Sequence, residues 1–422
     1  MVLQRSRHRK YIAFLGLATA ATTLAGCAGG GGGGEASEGP ADSITVATVK
    51  APGYADCINS VKDAFTEETG TKVELVELPY AGMFDKYQAG FQSGNAPYDL
   101  IGIPFQWTGQ FADQGAIAEV EAPDDVLESV NGQYTYAGTQ YGIPYNSGLM
   151  GFYYRTDLLE QMGYDKFPDT TEGIVELEEK IKADPTLSGQ GIFPTSVMGD
   201  QTQLMALFNT LYHGLGGPAF EKEDGTVNDI DVDAAAATFD TIQQMVDLSP
   251  AGALTATFAT VPAQFFDGTV AVIPMFSTSM PGPTLESSSI AGNYAFAAAP
   301  GGGDLAGWGW VVDAASEKQQ SAQDFAHFLA DPKNEIPCVE QFGRSPITTE
   351  AYQNEEVIAT NPVTPQIEAA LADGQKRFTG PQAQGLNETV NAITSQFLAG
   401  QLGDSDAAAQ KLADEIQTVA GN

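Results

Sequence analysis

Cysteine, histidine, tryptophan and basic side chains are all scarce in this chain. Among its 422 residues are three Cys, three His and three Trp, with 19 Lys plus Arg against 54 Asp plus Glu. No HExxH, GxSxG, GxxxxGKS, GxxxxGKT or CxxC occurs, so nothing in the motifs supports a zinc hydrolase, a serine hydrolase or a phosphate loop. No metal or other cofactor is expected. Paired carboxylates remain open, because they need only meet in space and acids are abundant. The formal net charge of −35 repels phosphate backbones and anionic lipid heads, which argues against a nucleic-acid partner and against surface adsorption to a membrane. The charge is dispersed and 43% of residues are hydrophobic, so the chain reads as folded. His213 and His327 read as surface histidines. His327 points away from the apolar stripe Ala322, Phe325 and Leu329.

The leading segment is organised. Arg5, Arg7, Arg9 and Lys10 precede an uncharged run from Tyr11 to Gly26, and the run ends in small residues. That order is a secretory signal peptide, and the run is short and dilute for a transmembrane helix. Leu24-Ala25-Gly26-Cys27 resembles a bacterial lipobox. The resemblance implies cleavage after residue 26 and diacylation of Cys27, each buried CH₂ of lipid contributing about 0.8 kcal/mol. Residues 27–42, with six consecutive glycines from Gly29, read as a flexible linker. With Cys27 committed to lipid, Cys57 and Cys338 remain. An even remainder in an oxidising compartment suggests one disulfide, with two separate buried thiols as the alternative.

Past the linker, about 380 residues exceed what one core usually serves, so two domains are expected. SITVATVK (43–50), KVELVELP (72–79) and YDLIGIP (98–104) predict strands. Helical periods over 57–69 and 83–92 separate them, giving βαβ units and a parallel sheet. A strand over 148–155 follows. Helical patterns over 172–183, 201–213 and 232–248 come next, then strands over 269–275, 293–300 and 307–313. An amphipathic helix over 319–330 precedes a helical tail. GGGDLAG (301–307) has a GxGxxA spacing but leads into a strand. The dinucleotide fingerprint needs a helix N-terminus there, so it reads as a turn.

Several stretches together carry a resemblance. They are VKDAFTEETGTKVELVEL (61–78), FQSGNAPYDLIGI (91–103), FADQGAIAEV (111–120), YGIPYNSGLMGFYYRTDLLEQMG (141–163), FFDGTVAVIPM (265–275) and GWGWVVDAASEKQQSAQDFAHFLADP (307–332). In order and spacing they resemble the extracellular solute-binding proteins of ABC importers, in particular the maltose-binding-protein-like sugar group. The resemblance implies a two-lobed α/β fold of the type II periplasmic-binding-protein kind. Each lobe is a mainly parallel sheet flanked by helices, with a ligand cleft between them. It assigns 43–140 and 277–346 to the N-terminal lobe, and 141–276 and 347–422 to the C-terminal lobe. It further implies a monomeric, lipid-tethered receptor without catalysis, with a sugar or polyol ligand and a permease as partners. A polyamine or other small polar solute on the same fold is one alternative, and an exported carbohydrate-active enzyme another.

A sugar offers hydroxyls around apolar C–H faces, so its site needs flat rings with amide and carboxylate groups. Such residues belong at the carboxyl ends of parallel strands. Tyr54 follows the first strand, and Gln106 and Trp107 follow the third. Tyr145 and Asn146 lie at the first lobe crossing, Phe276 and Ser277 at the second. Trp308 and Trp310 sit two apart after the glycine turn, on one side of their strand. Arg344 and Ser345 belong to the GRSP loop, and Asp200 to the MGDQ loop. Core packing is the competing reading for each, most evenly for Trp310 and Phe276. Where many relatives carry tryptophan after VAVIPM, this chain has FSTSM.

Overall fold

The computed structural model describes residues 40–51, 53–222 and 225–421. The signal segment, Cys27 and the glycines of the linker lie outside the described residues.

The chain enters the sheet at β1 (Ser43–Val49), which is mostly buried. The helix Tyr54–Thr69 follows. Asp56 accepts from the Gly53 backbone N–H at 3.2 Å, capping its start, and Cys57, Ile58, Val61 and Phe65 form its buried stripe. β2 (Lys72–Leu78) then pairs with β1 in parallel from Ser43↔Lys72 to Val49↔Leu78. The helix Met83–Ser93 leads to β3 (Leu100–Pro104), parallel to β1 on its other side. A two-residue-strand hairpin follows, β4 (Thr135–Tyr136) and β5 (Thr139–Gln140).

β6 (Gly142–Arg155) is the spine of the molecule. It is 14 residues long, and the expected strand over 148–155 is only its second half. β7 (Phe193–Thr195), β8 (Val270–Phe276), β9 (Tyr294–Ala298) and β10 (Leu305–Val312) complete the sheet order β2-β1-β3-β10-β6-β8-β7, with β9 also on β6. Residues 142–149 of β6 pair with β10, and 150–155 pair with β8 and β9. One strand thus serves both halves of the two-lobed α/β fold. The sheet is mixed. β2-β1-β3 and β7-β8 are parallel, whereas β6 and β10 run antiparallel to their neighbours. An apolar run reports that a strand is buried, not which way it points.

Between β6 and β10 the register steps from Asn146↔Trp308 to Pro144↔Gly309, leaving Tyr145 as the extra residue of a bulge. Pro144 cannot donate to the ladder, and the bulge re-aims the Tyr145 ring. Farther along, a Cβ at Gly148 would lie 2.2 Å from Ser277 Oγ, so only glycine admits that crossing.

Cys57 and Cys338 form a disulfide, with Cα atoms 5.3 Å apart and a separation of 281 positions in sequence. It joins the helix Tyr54–Thr69 to the helix Pro332–Phe342. His213 departs from expectation. It is 8% exposed, and its Nδ1 lies 2.9 Å from Gly217 O. Burial pushes its pKa down. The helix Leu204–Gly214 is buried on all sides from Leu204 to His213, so its apolar pattern marks no outer face. His327 is half-buried.

Candidate functional site

Because β1, β2 and β3 are parallel, their carboxyl ends share one edge, and each is followed by an aromatic residue. Tyr54 opens the helix after β1, Tyr80 follows β2, and Trp107 ends the 3-10 turn Phe105–Trp107 after β3. Tyr80 and Trp107 are stacked, with centroids 5.9 Å apart and planes 10° from parallel. Tyr80 also meets the edge of Trp308 at 6.0 Å, and Trp308 meets Tyr54 at 5.7 Å. Tyr54 touches Tyr145 at 5.7 Å, and Tyr145 touches Trp310 at 4.7 Å. The rings therefore run without a break from Trp107 to Trp310.

Exposure divides this row. Tyr80 is 47% exposed and Trp308 half-buried, while Trp107 is 3% and Trp310 1% exposed. Trp310 is the floor. Its ring lies against Gly102, where a Cβ would come within 3.1 Å of it.

Amides and hydroxyls fix the row in place. Asn146 Nδ2 donates to Tyr54 Oη at 2.7 Å, and Asn146 Oδ1 accepts from the Trp308 backbone N–H at 2.9 Å. Tyr145 Oη donates to the Tyr54 carbonyl at 2.8 Å. Arg344 lays its guanidinium over the Tyr145 ring at 3.5 Å and donates to Cys57 Sγ at 3.1 Å. Burial pushes the Tyr54 hydroxyl far above its ordinary pKa, against a smaller pull from Asn146.

The helix Ala383–Leu398 packs on the helices Leu204–Gly214 and Ser405–Ala420, and its first turn reaches across to the Trp107 turn. Trp107 Nε1 donates to Gln384 Oε1 at 2.9 Å, and Gln384 Nε2 donates to Glu388 Oε1 at 2.6 Å. Burial raises the Tyr80 pKa. Arg377 pulls it down and Glu388 pushes it up. Arg377 itself is bound to Asp304, whose Oδ1 also accepts from Asn209 at 2.6 Å.

The structure thus gathers Tyr54, Trp107, Tyr145, Asn146, Trp308, Trp310 and Arg344 into one cluster, with Gln106 half-buried in the same turn as Trp107. Ser277 and Ser345 sit apart from the rings. With Arg344 they line a small cavity whose wall also includes Tyr352 and Asn361. Ser277 Oγ accepts from the Leu149 N–H at 3.3 Å and latches the crossing. Phe276 lies at the end of β8, 4% exposed and stacked at 5.8 Å on Phe258, which is 39% exposed. Asp200 sits in the loop after β7. Its Oδ1 accepts from Thr202 N at 3.0 Å, and its backbone bonds Ala256 O.

Four residues of this region escaped the sequence reading. Tyr80 follows a strand as Tyr54 does, and the same rule finds it. Phe258 ends no strand. Gln384 and Glu388 stand on a helix far along the chain, and nothing local marks them.

Comparison with known proteins gives a consistent result. The family model described as bacterial extracellular solute-binding protein matches residues 60–365. A maltooligosaccharide ABC transporter solute-binding lipoprotein of Streptococcus pneumoniae is 26% identical over 372 residues, covering 82% of each chain. A galactooligosaccharide-binding protein of Bacillus subtilis is 26% identical over 408 residues, covering 88% of this chain and 87% of that one. Among solved structures, a maltose-bound protein of T. maritima superposes with a TM-score of 0.77 at 19% identity, covering 89% of this chain and 99% of that one. An ABC transporter solute-binding protein of Agrobacterium vitis with bound D-mannitol gives 0.73 at 21% identity, covering 90% and 99%.

Proposed function

The chain belongs to the bacterial extracellular solute-binding family, and on that premise we propose that it is the substrate-binding receptor of an ABC importer. It takes a sugar, polyol or short oligosaccharide into the cleft between its lobes and presents it to the permease, with no catalytic step. The observation that carries this reading is the half-exposed Tyr80 ring stacked on Trp107, with the Gln384 and Glu388 polar groups reaching in from the opposite side. A flat apolar face beside amide and carboxylate groups is what a polyhydroxylated ring or chain requires. The sugar-binding names of the relatives agree with it.

In this reading residues 43–140 with 277–346 form one lobe and 141–276 with 347–422 the other. Closure is stabilised by contacts that ligand makes only with the closed form. The basic start, the apolar run and Leu24-Ala25-Gly26-Cys27 make the protein an exported one held on the outer face of the cell membrane through lipid on Cys27. The tether keeps the receptor near its transporter at high effective concentration.

A thermal-shift screen with sugars, polyols and polyamines tests the reading, because a ligand that binds only the folded state raises the midpoint. A shift with a sugar or polyol supports it. A shift with a polyamine and with no sugar or polyol at millimolar concentration overturns it.

A further inference from the structure

The Trp107–Gln384–Glu388 chain carries information about which ligands the cleft admits. Gln384 uses both ends of its carboxamide, accepting from the Trp107 indole at 2.9 Å and donating to Glu388 Oε1 at 2.6 Å. The two residues are one helical turn apart and share a face. A carboxamide held at both ends cannot turn, so it fixes the Glu388 carboxylate on the side where Tyr80 stacks on Trp107. Glu388 is exposed, and one of its oxygens is engaged by Gln384. The other is available to a ligand.

The neighbouring basic groups are committed elsewhere. Arg377 Nε donates to Asp304 Oδ1 at 3.1 Å, and its Nη2 holds the second oxygen of the same carboxylate. Lys376 Nζ donates to the Gly132 carbonyl at 2.7 Å. Among the described residues, no cation lies within salt-bridge reach of Glu388. Glu388 therefore carries a negative charge with no direct ion-pair partner, while Arg377, the other charge acting on Tyr80, is held by Asp304.

We propose that Glu388, positioned by Gln384, sets the charge class of the ligand. It admits neutral polyhydroxylated molecules and rejects anionic ones such as uronic and aldonic acids. This rests on the receptor reading above. A carboxylate accepts hydrogen bonds and donates none, so it asks the ligand for a hydroxyl. When the cleft closes and water leaves, a hydroxyl satisfies it. A second carboxylate in the same place meets like-charge repulsion that the reduced dielectric strengthens.

The test uses the full chain and matched neutral and acidic probes: maltitol with maltobionate, galactose with galacturonate, and mannitol with mannonate. Thermal midpoints and calorimetric affinities are measured for the wild type and for Glu388→Gln. Glu388 is exposed, so the variant keeps the ligand-free midpoint. The wild type responds to a neutral member of a pair and not to its acid. Glu388→Gln binds that neutral member roughly tenfold more weakly, the effect of losing a charge-assisted hydrogen bond, and binds the acid measurably. If the wild type binds acid and neutral partner equally, or if Glu388→Gln changes neither, the assignment of Glu388 is wrong. If the wild type responds to no probe, the sugar reading itself fails and this inference falls with it.

Discussion

The Trp107 indole donates its Nε1–H to Gln384 Oε1 at 2.9 Å, joining residues 277 apart in sequence. Trp107 follows β3, and Gln384 opens a helix that packs on the helices Leu204–Gly214 and Ser405–Ala420. One side-chain bond therefore ties the row of rings to that helical layer.

Replacing Gln384 by Ala removes that bond and strands a donor on a side chain that is 3% exposed. The expected cost is about 1–2 kcal/mol to the conformation that holds the bond. Calorimetry with the sugar or polyol found by the screen should give an affinity roughly tenfold lower. An affinity equal to wild type would remove the Trp107–Gln384 bond from the closing machinery.

Trp308 and Trp310 should behave as opposites although they lie two residues apart. Trp310 is 1% exposed among Tyr145 and Gly102, so Trp310→Ala opens a core cavity and costs about 3–5 kcal/mol of stability. Trp308 is half-buried between Tyr54 and Tyr80, so Trp308→Ala should weaken binding with a smaller loss of midpoint. Thermal melting and binding are measured on both variants. Equal midpoint losses with unchanged affinity for Trp308→Ala would return both residues to the core.

That contrast also shows how far the sequence can be read. Strand ends point to Tyr54 and Trp107, because parallel strands gather their carboxyl ends at one edge, whereas Trp308 lies inside the antiparallel β10 and is marked only by the glycine turn before it. The same rule reaches Tyr80. It cannot separate Trp308 from Trp310, since exposure along one face depends on what packs above it. It cannot find Gln384 or Glu388, because a helix late in the chain is placed by tertiary packing alone. The Tyr145 bulge is equally silent, although Pro144 marks where a ladder bond must fail. The Cys57–Cys338 pair follows from parity and compartment, while its geometry needs the fold.

That disulfide closes a loop of about 280 residues, for which chain entropy gives roughly 5 kcal/mol of stabilisation. A Cys57→Ser, Cys338→Ser double variant should melt well below the wild type, with ligand binding retained at low temperature. Both sulfurs are buried, so nothing else in the pair compensates. A midpoint within a degree or so of wild type would mean that the unfolded chain is little constrained by the bond.

Glu178 gives the protein a specific pH dependence. It is fully buried in the helix Thr171–Ala183, and both its oxygens lack a hydrogen-bond partner. The Thr195 hydroxyl stands near enough to ease its burial slightly but outside bonding geometry. Burial pushes its pKa from 4.5 up to about 8. Below 4.5 the group is protonated in both states and costs nothing. Between there and about 8 the unfolded chain releases a proton that the folded chain keeps, so stability falls as pH rises, by about 1.4 kcal/mol per unit at most. Above about 8 the full penalty, a few kcal/mol, is present. Glu178→Gln keeps the shape and removes the titration. Its advantage in denaturant-unfolding free energy over wild type should grow from pH 5 to pH 8 and then level off. Other buried acids are common to both proteins, so the difference isolates Glu178. A difference independent of pH across this range would show that Glu178 titrates normally and that water reaches it.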